Sequence, residues 1–307
     1  MKPQSRTKRF FKSIEKFFSR FKQKYVVYYL LEKSGGREVI TRYRQQPSST
    51  SEVPIGTDAP VWLCWWQGEE HMPDIAKACL HSIRTHTSGH PVILITKDNY
   101  RNYADVPEFI LKKQQQGLID LTHFSDILRC LLLTQHGGIW MDCTVLLPSY
   151  SLNDFISPSA KFWSCHHRPI YHNISKGGWT SFFWACGKGN LLPSVLSDLH
   201  LCYWQKHNRL VNYLLLDYTF AIARAGLSKV SQMVEEVPLT EMGPLGKCLN
   251  EEYTPEQWEH FCQHYHFHKL SYKTSLHKYT PDGKLTFYGH IIENFFPTEP
   301  NETIEMK

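Results

Sequence analysis

The chain of 307 residues has no apolar run long enough to cross a membrane, and it lacks several common catalytic motifs. The longest apolar run near the N-terminus extends from Tyr25 to Leu31, whereas a spanning helix needs about 20 apolar residues. There is no P-loop, no G-x-S-x-G and no G-x-G-x-x-G, so ATPase, esterase and dinucleotide-binding functions have no support. No internal repeat of about 20–50 residues indicates a solenoid or a propeller.

The nine cysteines include no C-x-x-C pair, and Cys64, Cys130 and Cys143 lie in apolar runs. This distribution favours buried thiols in a reducing cytoplasm over a disulfide framework. It also argues against a structural zinc site. No secretory signal is visible, and we therefore expect the protein to be cytoplasmic.

The net charge of +5 is concentrated at the N-terminus. Residues 1–24 contain nine Lys or Arg and one acid, a net charge of +8, which leaves −3 for the remainder. The folded body is therefore not expected to bind nucleic acid.

Apolar residues recur at helical spacing among the N-terminal cations, at Phe10, Ile14, Phe17 and Phe21. This pattern is typical of a helix that lies in an anionic membrane interface. We expect a basic amphipathic helix within residues 1–32, and contact with the inner face of the plasma membrane through residues 8–31. The alternative is a helix that packs on the protein's own core.

The remaining chain divides into a connector, a folded domain and a polar tail. Residues 33–59 are rich in Gly, Pro and Ser, residues 60–296 carry the periodic apolar pattern, and residues 297–307 are polar. Strand patterns alternate with helix patterns in the folded part, which predicts an α/β layer fold. The predicted strands are 61–66, 92–96, 139–141, 161–165 and 181–186, and the predicted helices are 75–85, 107–116, 190–207 and 209–225.

One helix and the strand after it carry the strongest functional signal. Asp126 and Arg129 are three residues apart and share a helix face, while the other face is apolar. Ser125 is a plausible N-cap, although the helix can also begin a few residues earlier. Gly137 and Gly138 fit the helix C-terminus.

An apolar strand follows and presents Asp142 at its end, where a carboxylate is costly unless a cation or hydrogen bond satisfies it. We predict that Asp126, Arg129 and Asp142 surround one crevice. The alternative is a surface ion pair between Asp126 and Arg129, with Asp142 merely capping a turn.

The pattern Ser125-Asp126-x-x-Arg129 followed by Gly137-Gly138-Ile139-Trp140-x-Asp142-x-Thr144 resembles the capsular polysaccharide synthesis proteins, bacterial sugar transferases related to glycosyltransferase family 32. The resemblance covers about residues 58–290 and is most specific in this central block. It implies a GT-A-like, Rossmann-type nucleotide-sugar-binding fold. It also implies retaining transfer of a sugar from a nucleotide-sugar donor.

By this resemblance, Asp126 and Arg129 hold donor-sugar hydroxyls and Asp142 is the first acid of a DXD-like motif. Thr144 replaces the second acid, and a hydroxyl is a poorer ligand than a carboxylate for Mg²⁺ or Mn²⁺. Lys269 or Lys273 would then neutralise the departing diphosphate. Asp142 is expected to be catalytic, and Asp142 and Thr144 are the candidate metal ligands. The expected donor-binding residues are Trp65, Gln67, Gly68, Asp126, Arg129, Gly138, His268, Lys269 and Lys273.

Three further features have alternative interpretations. Asp217 lies in an apolar helical run, which favours a catalytic or acceptor-binding role, unless it pairs with Arg209 or Arg224. His264, His266 and His268 alternate, so a strand would place them on one face as a metal site, or only His268 reaches the active site. The aromatic loop 168–180 either covers an acceptor site or is exposed to solvent.

These observations predict a membrane-associated glycosyltransferase. It would use a nucleotide-sugar donor, which the family resemblance implies is a UDP-sugar, and a glycan or lipid-linked acceptor in surface polysaccharide synthesis. The main alternative is a non-catalytic glycan-binding or scaffolding subunit, which Thr144 supports. A third hypothesis is transfer of a sugar phosphate.

Overall fold

The computed structural model describes residues 6–46, 53–167 and 173–296. The predicted tail and residues 168–172 of the predicted acceptor loop lie outside this part, as do the side chains of Phe10, Ile14 and Phe17. The fold is mixed α/β with a parallel-containing central sheet, which confirms the predicted class and is compatible with a GT-A-like fold.

The α-helices are α1 (Arg6–Glu32), α2 (Gly36–Gln45), α3 (Asp74–Thr85), α4 (Glu108–Gln115), α5 (Leu121–His136), α6 (Leu191–Lys206), α7 (Leu215–Gly226), α8 (Ser228–Glu235), α9 (Pro255–His264) and α10 (Phe287–Phe295). The strands are β1 (Val61–Cys64), β2 (Val92–Ile95), β3 (Gly138–Met141), β4 (Val145–Leu146), β5 (Phe162–Ser164), β6 (Phe183–Cys186) and β7 (His268–Lys269). The predicted strands and helices are therefore confirmed to within a few residues, except that α7 begins at Leu215 rather than near residue 209.

The chain forms two compact units whose segments alternate along the sequence. Unit 1 consists of Met1–Ala59, Asn99–Trp140 and Pro158–Thr240, and unit 2 consists of Pro60–Asp98, Met141–Ser157 and Glu241–Lys307.

Unit 2 contains a parallel pair of strands and an antiparallel pair. β1 and β2 run parallel, with Val61 beside Val92 and Cys64 beside Ile95. β4 and β7 run antiparallel, with Val145 beside Lys269. Helices α3 and α10 pack against each other, and α3 buries Ile75, Cys79 and Ile83 as its apolar spacing predicts. Ligands of open α/β folds bind outside the carboxyl ends of such parallel strands.

Unit 1 is predominantly helical. Helix α6 packs against α2, α5 and α7, and the antiparallel pair of β5 and β6 completes the unit. Large aromatic side chains fill the core, among them the fully buried Trp163, Trp184 and Trp204. Helix α2 lies inside the predicted connector and was not predicted from the sequence. Its buried Val39 and Ile40 explain the difference, because tertiary packing stabilises a short polar helix that propensity alone would not.

Helix α1 packs on unit 1 through one face and exposes aromatic side chains on another. Val26 and Leu30 are 2% and 3% exposed, whereas Phe21, Tyr25 and Tyr28 are 68%, 56% and 55% exposed. The predicted N-terminal helix is therefore confirmed, and its second half packs on the protein's own core. Within the described residues, no helix combines the length and the apolar character that a membrane crossing requires.

Helix α5 begins earlier than Ser125. Asp120 is the N-cap and its side chain accepts a hydrogen bond from the His123 backbone N–H at 2.8 Å. The Ser125 hydroxyl donates instead to the Thr122 carbonyl oxygen at 2.7 Å, so the predicted Ser125 cap is wrong. Gly137 ends the helix with φ of 70°, and its N–H donates to the Leu133 carbonyl oxygen, which confirms the predicted stop.

Gly137→Ala should destabilise the protein more than Gly117→Ala does. Both glycines have φ near 70°, a conformation that costs an L-residue about 1 kcal/mol. A Cβ at Gly137 would also meet the Lys188 backbone nitrogen at 2.5 Å, whereas a Cβ at Gly117 meets nothing within 4 Å. Urea denaturation should therefore show a loss of about 1 kcal/mol for Gly117→Ala and at least about twice that for Gly137→Ala. Equal losses would contradict this interpretation.

Candidate active site

The predicted charged pair of helix α5 is buried in unit 1. Arg129 Nη2 lies 3.1 Å from Asp126 Oδ1, and the two residues are 4% and 8% exposed. Arg129 also donates a hydrogen bond to the Ser181 carbonyl oxygen, and its Cζ lies 4.6 Å from the Trp140 ring centroid. The surface ion pair considered as an alternative is therefore excluded. A buried pair is costly unless further hydrogen bonds satisfy it, and here they do.

Asp217 lies in helix α7, electrostatically coupled to this pair. Trp179 Nε1 donates a hydrogen bond to Asp217 Oδ1 at 3.0 Å. The pKa of Asp217 is raised to about 6, mainly by burial and also by repulsion from Asp126, while the Trp179 hydrogen bond and Arg129 oppose the rise. We call Asp126, Arg129, Trp179 and Asp217 the Arg129 cluster.

Among the described residues, neither Arg209 nor Arg224, the two ion-pair partners considered for Asp217, pairs with it. Arg224 pairs instead with Glu235 at 3.4 Å, and within the described residues Arg209 makes no ion pair with Asp217. The Trp179 contact was missed because it joins residues 38 positions apart. The only feature of the sequence that pointed to the contact of Trp179 with Asp217 was the aromatic character of the loop 168–180.

A second polar cluster lies in unit 2, and we call Asp142, Thr144 and Lys269 the Lys269 cluster. Asp142 directly follows β3 and Lys269 lies in β7. Lys269 Nζ is 2.9 Å from Asp142 Oδ2, and it also donates a hydrogen bond to Thr144 Oγ1. One ammonium thus contacts both side chains that the sequence indicated as metal ligands.

This donor set offers a divalent cation only one carboxylate and one hydroxyl, and both contact an ammonium here. Because Mg²⁺ is commonly held by one or two carboxylates together with substrate phosphates, the metal role of Asp142 and Thr144 stays a prediction. Among residues 6–46, 53–167 and 173–296, no three His, Cys, Asp or Glu side chains are grouped so that they would hold a metal ion.

The residues after β1 form a turn in unit 2 whose geometry requires glycine. Gly68 has φ of 97°, and a Cβ there would meet Glu70 Oε1 at 2.4 Å. Trp65 is half-buried, with its ring centroid 5.4 Å from that of Tyr272. Its Nε1 is buried and, among the described residues, has no hydrogen-bond acceptor. Gln67 and Lys273 are exposed. Sequence analysis assigned no role to Tyr272, which is an exposed aromatic residue beside Lys273.

The three alternating histidines do not share a strand face, which argues against the first of the two alternatives, a metal site on one face of a strand. Helix α9 extends to His264, and strand β7 contains only His268 and Lys269. His266 stacks on Phe155 with ring centroids 5.0 Å apart. His268 is fully buried, and burial lowers its pKa to about 4, so the ring is neutral at pH 7. Its role in donor binding stays a prediction.

The structure thus groups the predicted site residues into two sets. Asp126, Arg129 and Asp217 belong to the Arg129 cluster, and Gly138 begins β3 in the same unit with φ of 108°. Asp142, Thr144 and Lys269 belong to unit 2. That Asp126 and Arg129 share one crevice with Asp142 stays a prediction.

The fold and the side chains together define an α/β protein in which two carboxylates, Asp126 and Asp142, are each paired with a cationic side chain. The chain belongs to the capsular polysaccharide synthesis protein family, whose model matches residues 6–291. Among solved structures, one described as "PaToxG Glycosyltransferase" is similar at a TM-score of 0.38 and 14% sequence identity, covering 82% of this chain and 95% of that chain. No curated protein sequence matches the chain.

Asp217→Asn should stabilise the protein at neutral pH. Between pH of about 4 and 6 the folded carboxyl keeps its proton while the unfolded one has lost it. The wild type therefore loses stability as the pH rises through this window, and the loss is complete above the folded pKa. An amide avoids this loss, still accepts the Trp179 hydrogen bond, and should raise the free energy of unfolding at pH 7.5 by on the order of 2 kcal/mol.

Urea denaturation at several pH values measures this effect. The matched control is Asp105→Asn, because Asp105 is an exposed aspartate of the same unit. A variant Asp217→Asn that is less stable than the wild type at pH 7.5 would contradict the assignment of a buried, destabilising carboxylate.

Proposed function

We propose that this protein is a glycosyltransferase that moves a sugar from a nucleotide-sugar donor, a UDP-sugar, to a glycan or lipid-linked acceptor in capsular polysaccharide synthesis. Family membership supports the pathway. The observation that carries the reaction class is the contact of Lys269 with Asp142 and Thr144 directly after a buried strand.

Lys269 is proposed to act as the fixed cation for the leaving group. A departing nucleoside diphosphate develops negative charge that must be stabilised by a metal or by Lys or Arg. Asp142 and Thr144 hold the Lys269 ammonium in place, so little reorganisation is needed when the donor binds. Lys273, which is exposed four residues further on, is a second candidate for the diphosphate.

The Arg129 cluster is proposed to bind the donor sugar. Asp126 offers carboxylate oxygens that accept hydrogen bonds from sugar hydroxyls, and Arg129 offers N–H donors. Both side chains are already oriented by their own ion pair and by the Ser181 carbonyl oxygen. Residues held by such contacts position a ligand with less loss of entropy on binding.

Asp217 is proposed to exchange a proton with the acceptor hydroxyl. A carboxyl with a pKa near 6 has both protonation states accessible near neutral pH, as general acid–base chemistry requires. The Trp179 indole holds one carboxyl oxygen and leaves the other for a substrate. Retention at the anomeric carbon would follow from front-face attack, and no protein nucleophile is assigned.

The exposed aromatic side chains of α1 support peripheral contact with an anionic membrane. Phe21, Tyr25 and Tyr28 are exposed together with Lys22 and Lys24, a combination that suits the headgroup region of a bilayer. We propose that the protein acts at the cytoplasmic face of the plasma membrane, where a lipid-linked acceptor would be located.

The two clusters should respond differently to two ligands. Lys269→Met should weaken the binding of both UDP and the UDP-sugar, by about tenfold or more, because both carry the diphosphate. Asp126→Asn should weaken the binding of the UDP-sugar alone, because its proposed partner is the sugar. Isothermal titration with UDP and with the UDP-sugar that gives the largest thermal shift measures both effects.

Lys278→Met is the matched control, since Lys278 is exposed in the same unit and has no proposed role. Equal effects of Lys269→Met and Lys278→Met would contradict the diphosphate assignment. Loss of UDP affinity in Asp126→Asn, with the melting temperature unchanged, would contradict the sugar assignment.

A non-catalytic glycan-binding or scaffolding subunit is the second candidate, and Thr144 in place of the second motif acid favours it. Turnover separates the two candidates, because a scaffold releases no UDP from a UDP-sugar. The mass of the product also separates transfer of a sugar from transfer of a sugar phosphate. Repeating the assay with Mn²⁺ and with a chelator tests whether Lys269 suffices as the cation.

A further inference from the structure

A cavity of about 510 Å³ lies within unit 1 and shares one residue, Trp179, with the Arg129 cluster. Helices α1, α2, α7 and α8 and the segment 174–179 form its walls. This volume is in the range of small-molecule sites, about 300–1,000 Å³. Val27, Leu31, Ile40 and Ile222 give the cavity an apolar wall.

The same cavity is lined by four cationic side chains and by no acidic one. The cations are Arg37 and Arg44 of α2, Lys176 of the loop, and Arg224 of α7. Four positive charges beside an apolar wall are complementary to a molecule that carries both an anion and a hydrocarbon chain.

Among residues 6–46, 53–167 and 173–296, two of these cations have exposed ion-pair partners and two have none. Arg37 pairs with Glu32, and Arg224 pairs with Glu235 at 3.4 Å. Solvent-exposed pairs contribute only about 0–1 kcal/mol, so an anionic ligand can compete for these cations. Arg44 donates through Nε to the Gly226 carbonyl oxygen at 2.7 Å.

Lys176 is the cation most available to a ligand. Within the part of the chain that the structure describes, it has no ion-pair partner. Its backbone φ of 51° lies in the left-handed region, which costs a lysine about 1 kcal/mol. Strain of this kind is frequent at binding sites, because the surrounding structure must hold the residue in place.

Helix α1 connects the cavity with the surface that we propose to contact the membrane. At about 100° per residue, Val27 and Leu31 lie between the buried face with Val26 and Leu30 and the exposed stripe that begins at Phe21. A lipid chain leaving the interface along this helix would therefore reach the apolar wall of the cavity first.

We propose that this cavity binds an anionic membrane lipid. Its phosphate would lie among Lys176, Arg44 and Arg224, and one hydrocarbon chain would lie along Val27, Leu31 and Ile222. The assignment does not depend on sugar transfer, and it holds for a non-catalytic protein as well. It shares with the proposed function the contact of α1 with an anionic membrane and one residue, Trp179, which lines the cavity and also belongs to the Arg129 cluster.

Titration of the full-length protein with dodecyl phosphate, below the concentration at which it aggregates, tests the proposal. We expect one site per chain by isothermal titration, and at least tenfold weaker binding of both inorganic phosphate and dodecyl maltoside. Lys176→Glu should weaken dodecyl phosphate binding by about tenfold or more. Thr41→Trp should weaken it without a change of charge, because Thr41 is an exposed residue that lines the cavity.

Lys188→Glu is the matched control, as it changes the charge of the same unit equally at an exposed position outside the cavity. Its affinity should equal that of the wild type. Equally tight binding of dodecyl maltoside would overturn the anionic assignment, and equally tight binding of inorganic phosphate would overturn the lipid assignment. Equal affinities of Lys176→Glu and Lys188→Glu, or an unaffected Thr41→Trp whose melting temperature is normal, would place the ligand elsewhere.

Discussion

Charge removed from water must find a partner, and this constraint explains the polar residues on which the proposed function depends. Asp126 satisfies it with Arg129 at 3.1 Å, and Asp142 satisfies it with Lys269 at 2.9 Å. Asp217 is buried, and among the described residues the Trp179 indole is its hydrogen-bond partner; burial is the main cause that raises its pKa to about 6. Asp126 and Asp142 are therefore each balanced by a cation, whereas Asp217 has a raised pKa, a difference that their surroundings set.

In the proposed function, these ion pairs and hydrogen bonds prepare the same residues to bind and react with a nucleotide-sugar. Groups that are fixed before the ligand arrives need little rearrangement when charge develops, which is the main source of electrostatic catalysis. Lys269 is such a group, because a carboxylate and a hydroxyl hold its ammonium. In the proposed mechanism, an ammonium in this position would also account for Thr144, since a lysine-based cation does not need the second motif acid that a metal would.

The sequence predicts well those features that depend on residues close to one another along the chain. The pairing of Asp126 with Arg129, the stop at Gly137 and strand β3 follow from helical spacing and glycine geometry. Contacts between distant residues were not predictable, because no local pattern encodes them: Lys269 meets Thr144 across 125 positions, and Trp179 meets Asp217 across 38. The apolar–cationic cavity likewise draws on three separate segments. Helix α2 was missed because packing, not propensity, stabilises it.

The most direct test of the account is turnover of a UDP-sugar by Asp142→Asn. An amide cannot balance the Lys269 ammonium as a carboxylate does, so the account predicts loss of transfer while circular dichroism and the melting transition show a folded protein. Purified wild-type protein would be assayed in parallel, with release of UDP and formation of the glycan product both followed. Wild-type turnover by folded Asp142→Asn would contradict the central claim that this carboxylate and its lysine hold the reacting donor.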